Sequence, residues 1–205
     1  MIIAVDGPAA SGKGTLARKL AQYLGLAYLD TGAIYRTIAL IALERGGDPA
    51  NEGDAVKAAK RYRPQIYADA ALRTEEVSRA ASIVAAHAPV RAEVIGIQRK
   101  VAHTPPGAVL DGRDIGTVVC PEADLKFFVT ASPQERARRR LKEIETRGET
   151  ADYDGILAEI VRRDERDRTR PVAPLKPAAD AHLLDTTSLD IEATFQAARR
   201  IVDGR

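Results

Sequence analysis

One cysteine, Cys120, stands in a chain of 205 residues. An intramolecular disulfide is therefore impossible, and so is a zinc site built from cysteines. Cys120 follows the apolar pair Val118–Val119, which makes it a small core residue rather than a nucleophile. Long apolar runs are missing too: none approaches the ~20 residues that a membrane-spanning helix needs. No signal-peptide pattern opens the chain, because Asp6 and a glycine-rich loop come at once. The expectation is a cytoplasmic protein with no membrane partner. An excess of one charge is also lacking: 31 Lys and Arg face 29 Asp and Glu, a net charge of +2, which gives no basis for nucleic-acid binding. The only asparagine is Asn51, followed by Glu52, so the Asn-Lys-x-Asp motif with which GTP-binding switch proteins read guanine is absent. His87, His103 and His182 are scattered and carry no metal or catalytic pattern. With 45% hydrophobic and 29% charged residues, what is left is ordinary globular composition, long enough for one α/β domain with insertions.

What is present begins at Gly7. The run Gly7, Pro8, Ala9, Ala10, Ser11, Gly12, Lys13, Gly14 and Thr15 follows the apolar stretch Ile2–Val5. A helical pattern comes next, with Leu16, Leu20 and Leu24 four apart and Gly25 placed as C-cap. Strand, glycine loop and helix form the context of a phosphate-binding loop. Its glycines let several N–H groups point at one anion, backed by the positive end of the helix. Lys13 reaches toward terminal phosphates, and Thr15 offers a hydroxyl for Mg²⁺. Gly14 departs from the general pattern, which has Ser or Thr directly after the lysine. Gly-Lys-Gly-Thr resembles the variant of nucleoside monophosphate kinases.

Along the chain, strands are expected at 27–29, 108–110, 125–130 and 181–184. Helices are expected over 33–45, 74–86, 90–102, from Ser132 to about 148, over 153–168 and over 189–202. Ser132, Pro133 and Glu135 form a strong helix start. Between Pro49 and Ala71 the pattern weakens, and the alternation around 63–69 suggests a short antiparallel strand pair. Strands alternating with helices predict an α/β fold with a parallel sheet covered on both faces, and the resemblance carried by Gly-Lys-Gly-Thr implies that it is a P-loop kinase fold. The C-terminal strand ends then converge on one crevice, with residues 6–15, 30–32, 111–114 and Thr130 around it. The long stretch between the second and third strands must be an insertion over that crevice.

Asp111 ends an apolar strand, the place for a carboxylate acting on Mg²⁺ or its waters; capping of a turn is the other reading. Arg113 and Asp114 share that strand end, and an arginine there is better explained by an anionic ligand than by packing. Arg163, Asp167 and Arg170 are spaced i, i+4, i+7 and fall on one helix face, which suits phosphates and a ribose hydroxyl. The rest of that charged run reads as a solvated helix. Residues 136–140, also rich in arginine, are expected at the surface, with Arg136, Arg139 or Arg140 in reach of a nucleotide.

The phosphate loop, Tyr28–Arg36, Arg73–Ser82, Val90–Arg91, Asp111–Gly116 and Arg163–Leu175 together resemble bacterial cytidylate kinases over nearly the whole chain. An adenylate kinase would carry Asp-Gly-Phe-Pro-Arg where this chain has Asp-Gly-Arg-Asp. The resemblance implies one domain over 1–205, with a core of 1–30, 104–142 and 154–205, an acceptor-binding insertion near 31–103 and a short lid near 143–153. It implies a monomer that uses ATP with Mg²⁺ to phosphorylate CMP and dCMP. The phosphate loop would bind ATP, with Thr15 and Asp111 toward the metal and Lys13, Arg113 and Arg163 as the catalytic groups. Arg36 and Arg113 would hold the acceptor phosphate with Thr31 nearby, and Ser82, Arg91 and Asp114 would read cytosine. Arg163 and Asp167 would hold the ribose, with Arg170 beside the acceptor. The family usually has serine at Thr31; the hydroxyl is kept and a methyl added. The chemistry agrees with that reading. Ser and Asp accept from the N4 amino group while Arg donates to N3 and O2, and uracil reverses that pattern. Phosphoryl transfer onto a phosphate oxyanion needs alignment and charge neutralisation rather than a general base. The nearest competing reading is another small P-loop kinase with a different acceptor.

Overall fold

The computed structural model describes residues 1–64 and 67–204. Five strands run through it: β1 (Ile2–Asp6), β2 (Ala27–Asp30), β3 (Ala108–Gly112), β4 (Leu125–Thr130) and β5 (His182–Asp185). All pair in parallel, in the order β2-β3-β1-β4-β5. The central strands are buried on both faces, which is why β1 and β3 read as continuous apolar runs rather than alternating ones. The chain leaves β1 for one side of the sheet and later returns to the other side of β1. The register sets Asp30 beside Asp111 and Asp6 beside Gly112, so these strand ends open on the same edge.

Helices α1 (Lys13–Leu24) and α9 (Ile191–Asp203) cover one face. Leu16, Ala17 and Leu20 of α1 and Ala198 and Val202 of α9 close on Ile3, Val5, Phe127 and Val129. Ile3, Leu20 and Phe127 are fully buried, worth ~1.5–3 kcal/mol each relative to exposure. Gly25, at φ 65°, ends α1 as expected, a left-handed cap that costs glycine little.

Between β2 and β3 lie α2 (Thr31–Glu44), α3 (Glu52–Lys60), α4 (Asp69–Leu72), α5 (Glu75–Val84) and α6 (Ala88–His103). They share a core of their own, centred on Ile34, Ile38, Ile41, Val84, Val90 and Val94. Here the structure corrects the sequence reading. Within the stretch from Pro49 to Ala71 residues Glu52–Lys60 form a helix: Asn51 caps α3 by accepting from the Asp54 N–H, with Glu52 and Asp54 in the first turn and Lys57 and Lys60 in the last. The expected strand pair around 63–69 falls partly on residues 65 and 66, outside the described residues; its described flanks are not strand.

After β3 comes a π-helical turn, Ile115–Val119, which local periodicity did not foretell. Its first N–H groups, of Ile115 and Gly116, donate to the two oxygens of Asp6 at 2.8 Å each. Arg99 of α6 donates to the carbonyls of Val118 and Val119 at its other end. Cys120 is fully buried, as expected. α7 (Pro133–Thr146) starts at Ser132, whose side chain accepts from the Glu135 N–H, and packs on α8 (Tyr153–Thr169) through Ala137, Ile144, Ile156 and Ile160. Among the described residues no single helix is long and apolar enough to cross a membrane.

Candidate active site

The loop after β1 is held in a conformation few sequences tolerate. Gly7 has φ 155°, and a Cβ there would lie 2.0 Å from the Val129 carbonyl oxygen. Gly12 has φ 85° and Ala10, with a side chain, φ 58°. Ala9, Ala10, Gly12, Lys13, Gly14 and Thr15 line a cavity of about 250 Å³. Gly7 and Pro8 form the loop's entry, and Ser11 is buried beneath it.

Gly14, the departure from the general pattern, has a spatial reason. A Cβ at that position would stand 2.8 Å from Asp111 Oδ2 and 3.6 Å from the Tyr28 hydroxyl. Glycine lets Asp111 lie against the first turn of α1. Tyr28 donates to Asp111 Oδ2 at 2.8 Å, and Lys13 Nζ stands 3.8 Å from Oδ1. Burial, with the Arg113 charge beside it, pushes Lys13 down to about 8.

A second cavity, of about 80 Å³, adjoins the first. Thr31, Arg36, Ser82, Arg91, Arg113, Asp114, Arg163, Asp167 and Arg170 all line it, so the acceptor-side residues singled out in the sequence come together. Lys13, Asp30, Arg36, Asp111, Arg113 and Arg163 border both cavities.

The charges around the second cavity are arranged in pairs. Asp30 caps α2 and accepts from Arg36 at 2.8 Å. Asp114 accepts from Arg91 and lies 3.6 Å from Arg170. Asp167 accepts from Arg113 Nε and Ser82 Oγ, each at 3.1 Å, with Arg163 at 3.9 Å. Burial raises the Asp167 carboxyl, but Arg113 and Arg163 outweigh it and hold it below the usual range. Burial lowers Arg163 to about 10, helped by Arg113. Among the described residues three buried guanidinium nitrogens, Arg36 Nε, Arg163 Nε and Arg170 Nη2, find no hydrogen-bond partner. Donors left this way in a buried site are suited to an anionic acceptor. The Thr31 hydroxyl is turned to the Asp111 carbonyl oxygen at 2.7 Å, so it supports the Asp111 backbone rather than offering a free donor.

A family model described as cytidylate kinase matches residues 3–203. The chain belongs to the cytidylate kinase family. Curated cytidylate kinases from Bradyrhizobium diazoefficiens and Nitrobacter winogradskyi are each 55% identical over 203 residues, covering 99% of this chain and 96% of theirs. Solved structures that are similar in fold include TT1252 from Thermus thermophilus, with a TM-score of 0.53 and 19% identity, covering 100% of this chain and 97% of the other. An uncharacterized protein from Eubacterium ventriosum gives a TM-score of 0.58 at 15% identity, covering 100% and 99%.

For this member of the cytidylate kinase family, one arginine needs correcting. Arg136 is not at the surface: it is 2% exposed and donates to Ala131, to Ala9 of the phosphate loop and to both oxygens of Asp164. Arg139 donates to Thr186, and Arg140 to the Arg73 carbonyl and to Glu143. Sequence reasoning set Asp6 at the crevice and Tyr28 in a motif but gave neither a role of its own. Each is a polar residue in a short strand flanked by apolar neighbours, a signal that a buried partner waits nearby. Among the described residues no group of His, Cys, Asp and Glu is arranged to hold a metal without other ligands.

Proposed function

We propose that the chain transfers the γ-phosphoryl group of ATP to CMP and dCMP. The observation that carries the reading is the shared wall: Lys13, Arg113 and Arg163 border both the phosphate-loop cavity and the second cavity. A donor in one and an acceptor phosphate in the other meet at these three cations and at Arg36, which borders both as well. Little covalent chemistry is then required. Lys13, Arg113 and Arg163 neutralise charge spread over the transferring group, Arg36 holds the acceptor phosphate, and no general base is needed because the acceptor is already an oxyanion.

Mg²⁺ fits the donor set. Asp111 is a carboxylate at the mouth of the phosphate loop with Oδ2 taken by Tyr28 and Oδ1 facing Lys13 Nζ at 3.8 Å, and Thr15 lines the same cavity. Thr15 and Asp111 would hold the ion, partly through water, and it would supply positive charge to offset that of the phosphates.

Ser82, Arg91 and Asp114 are proposed to read the base, with Arg163 and Asp167 at the ribose and Arg170 beside the acceptor. Asp114 accepts from the cytosine amino group, and Arg91 donates to the ring acceptors. Residues 31–103 act as the acceptor-binding insertion and 143–153 as a short lid on one monomeric domain, at work in the cytoplasm. Steady-state kinetics with ATP and CMP, dCMP, UMP and AMP test this. CMP should exceed UMP by ~10- to 100-fold in kcat/KM, since a missing partner at a buried polar group costs ~1–3 kcal/mol. Asp114→Ala should narrow that gap by lowering CMP turnover. UMP or AMP equal to CMP in the unaltered enzyme would overturn the base-reading assignment.

A further inference from the structure

Ala10 is a residue with a side chain at φ 58°, inside the phosphate loop. A left-handed conformation costs such a residue free energy unless its surroundings fix it. The carbonyls of its two neighbours are each held from outside the loop. The Ala9 carbonyl accepts from Arg136 Nη1 of α7 at 3.3 Å. Thr186 Oγ1, in the segment after β5, lies 3.1 Å from the Ser11 carbonyl and 3.1 Å from that of Thr130, and its one proton is shared between the two. Both side chains are 2% exposed and anchored themselves. Arg136 is forked onto Asp164 at 3.0 and 2.5 Å, and Thr186 accepts from Arg139 at 2.9 Å while its N–H donates to Thr130. In a planar trans peptide the N–H points opposite to the C=O. Turning the Ala9 carbonyl toward Arg136 therefore turns the Ala10 N–H the other way, and the Ser11 carbonyl on Thr186 does the same for the Gly12 N–H. Ala10 and Gly12 both line the phosphate-loop cavity.

We infer that Arg136 and Thr186 are positioning residues for the donor nucleotide: they clamp the two carbonyls flanking Ala10 and so hold the loop's N–H groups aimed at phosphate. The inference rests on the loop being the ATP site. Neither residue touches the acceptor cavity, so the clamp acts on one nucleotide only.

The test is titration calorimetry of β,γ-imido-ATP with Mg²⁺, and separately of CMP, on Thr186→Val and Arg136→Lys. Lysine keeps a charge for Asp164 but cannot fork to Ala9 as well. Each variant should weaken β,γ-imido-ATP by roughly five- to thirtyfold, the factor matching ~1–2 kcal/mol for a left-handed residue released from its support. CMP should change less than threefold. Adding Ala10→Gly to Thr186→Val should recover at least threefold, because glycine takes positive φ without cost. Equal weakening of both nucleotides with a lowered melting temperature would show general loosening and overturn the inference. So would unchanged β,γ-imido-ATP binding in both variants, or no recovery from Ala10→Gly. Arg136→Lys carries the test alone if Thr186→Val fails to fold. Failure of the unaltered protein to bind β,γ-imido-ATP would instead sink the reading of the loop as the ATP site.

Discussion

Gly14 shows how much one missing methyl group decides. A Cβ there would sit 2.8 Å from Asp111 Oδ2, and Asp111 is held by Tyr28 on one side and by the Thr31 hydroxyl on its own carbonyl. The carboxylate has no easy retreat. In Gly14→Ala the crowding is offset by alanine's being the best helix former, in the first turn of α1, so the melting temperature should change little. The cost should fall on alignment: kcat should drop by ~10- to 100-fold, and the Mg²⁺ needed for half-maximal rate should rise. Turnover measured against Mg²⁺ concentration checks this, and a variant with unchanged kcat and Mg²⁺ demand would mean that Asp111 moves freely. The residue scale was also where the sequence was most readable. Lys13, Arg36, Ser82, Arg91, Arg113, Asp114, Arg163, Asp167 and Arg170 were each singled out, and all nine line one or both cavities. Lys13, Arg113, Asp114, Arg163, Asp167 and Arg170 were legible from a motif, a strand end or a helix spacing, whereas Arg36, Ser82 and Arg91 entered only through the family resemblance. Arg136 was not legible, because a run of arginines gives no sign of which one turns inward. Only its place one turn after the Ser132 cap, on the side facing the phosphate loop, distinguishes it.

Among elements, those with strong caps and periodic faces stood where the sequence put them. β4 matches its expected bounds, and α8 and α7 begin at the expected residues. α3 was overlooked although Asn51, the acidic first turn and the basic last turn announce it; its nine residues are alanine-rich and offer little apolar contrast. The π-helical turn could not be read at all. It is imposed from a distance, by Asp6 of β1 at one end and Arg99 of α6 at the other. The helices between β2 and β3 carry their own core, and they meet α8 mainly through Ser82, which Asp167 and Arg166 both hold at 3.1 Å. α6 packs Ala102 into the core of the sheet and stays with it, so the polar contact of α5 with α8 is the one that can part and re-form as the crevice closes. Hydrogen exchange in 31–103 and 143–153 should slow when CMP and an ATP analogue are bound together, more than with either alone. Exchange indifferent to both nucleotides would count against closure of the crevice.

For the molecule as a whole, the parallel sheet gathers its acidic strand ends on one edge, and that edge has a consequence for stability. Asp6 is 5% exposed; burial pushes its carboxyl up to about 7, outweighing the N–H groups of Gly116 and Ile115, and the nearby Asp114 adds to the rise. Burial raises Asp114 as well, against the pull of Arg91 and Arg170. In the unfolded chain such carboxyls lose their protons near pH 4. Between about pH 4 and 7 the folded state therefore holds a proton that the unfolded state has released, so stability falls as pH rises through this window. Asp30 and Asp167 are shifted the other way, below the ordinary carboxylate range, against burial, by Arg36 in one case and by Arg113 and Arg163 in the other. Their contribution is full above about pH 4 and is lost only on further acidification. The two effects place the stability maximum near pH 4 rather than at neutrality. Urea unfolding from pH 5 to 7.5 should show the free energy declining, by at most ~1.4 kcal/mol per pH unit for one such carboxyl. In Asp6→Asn the overall level drops, since asparagine cannot accept both N–H groups, but the slope should flatten. The slope is the readout. A free energy that stays level or climbs over this range in the unaltered protein would mean that the two N–H groups, and not burial, govern Asp6.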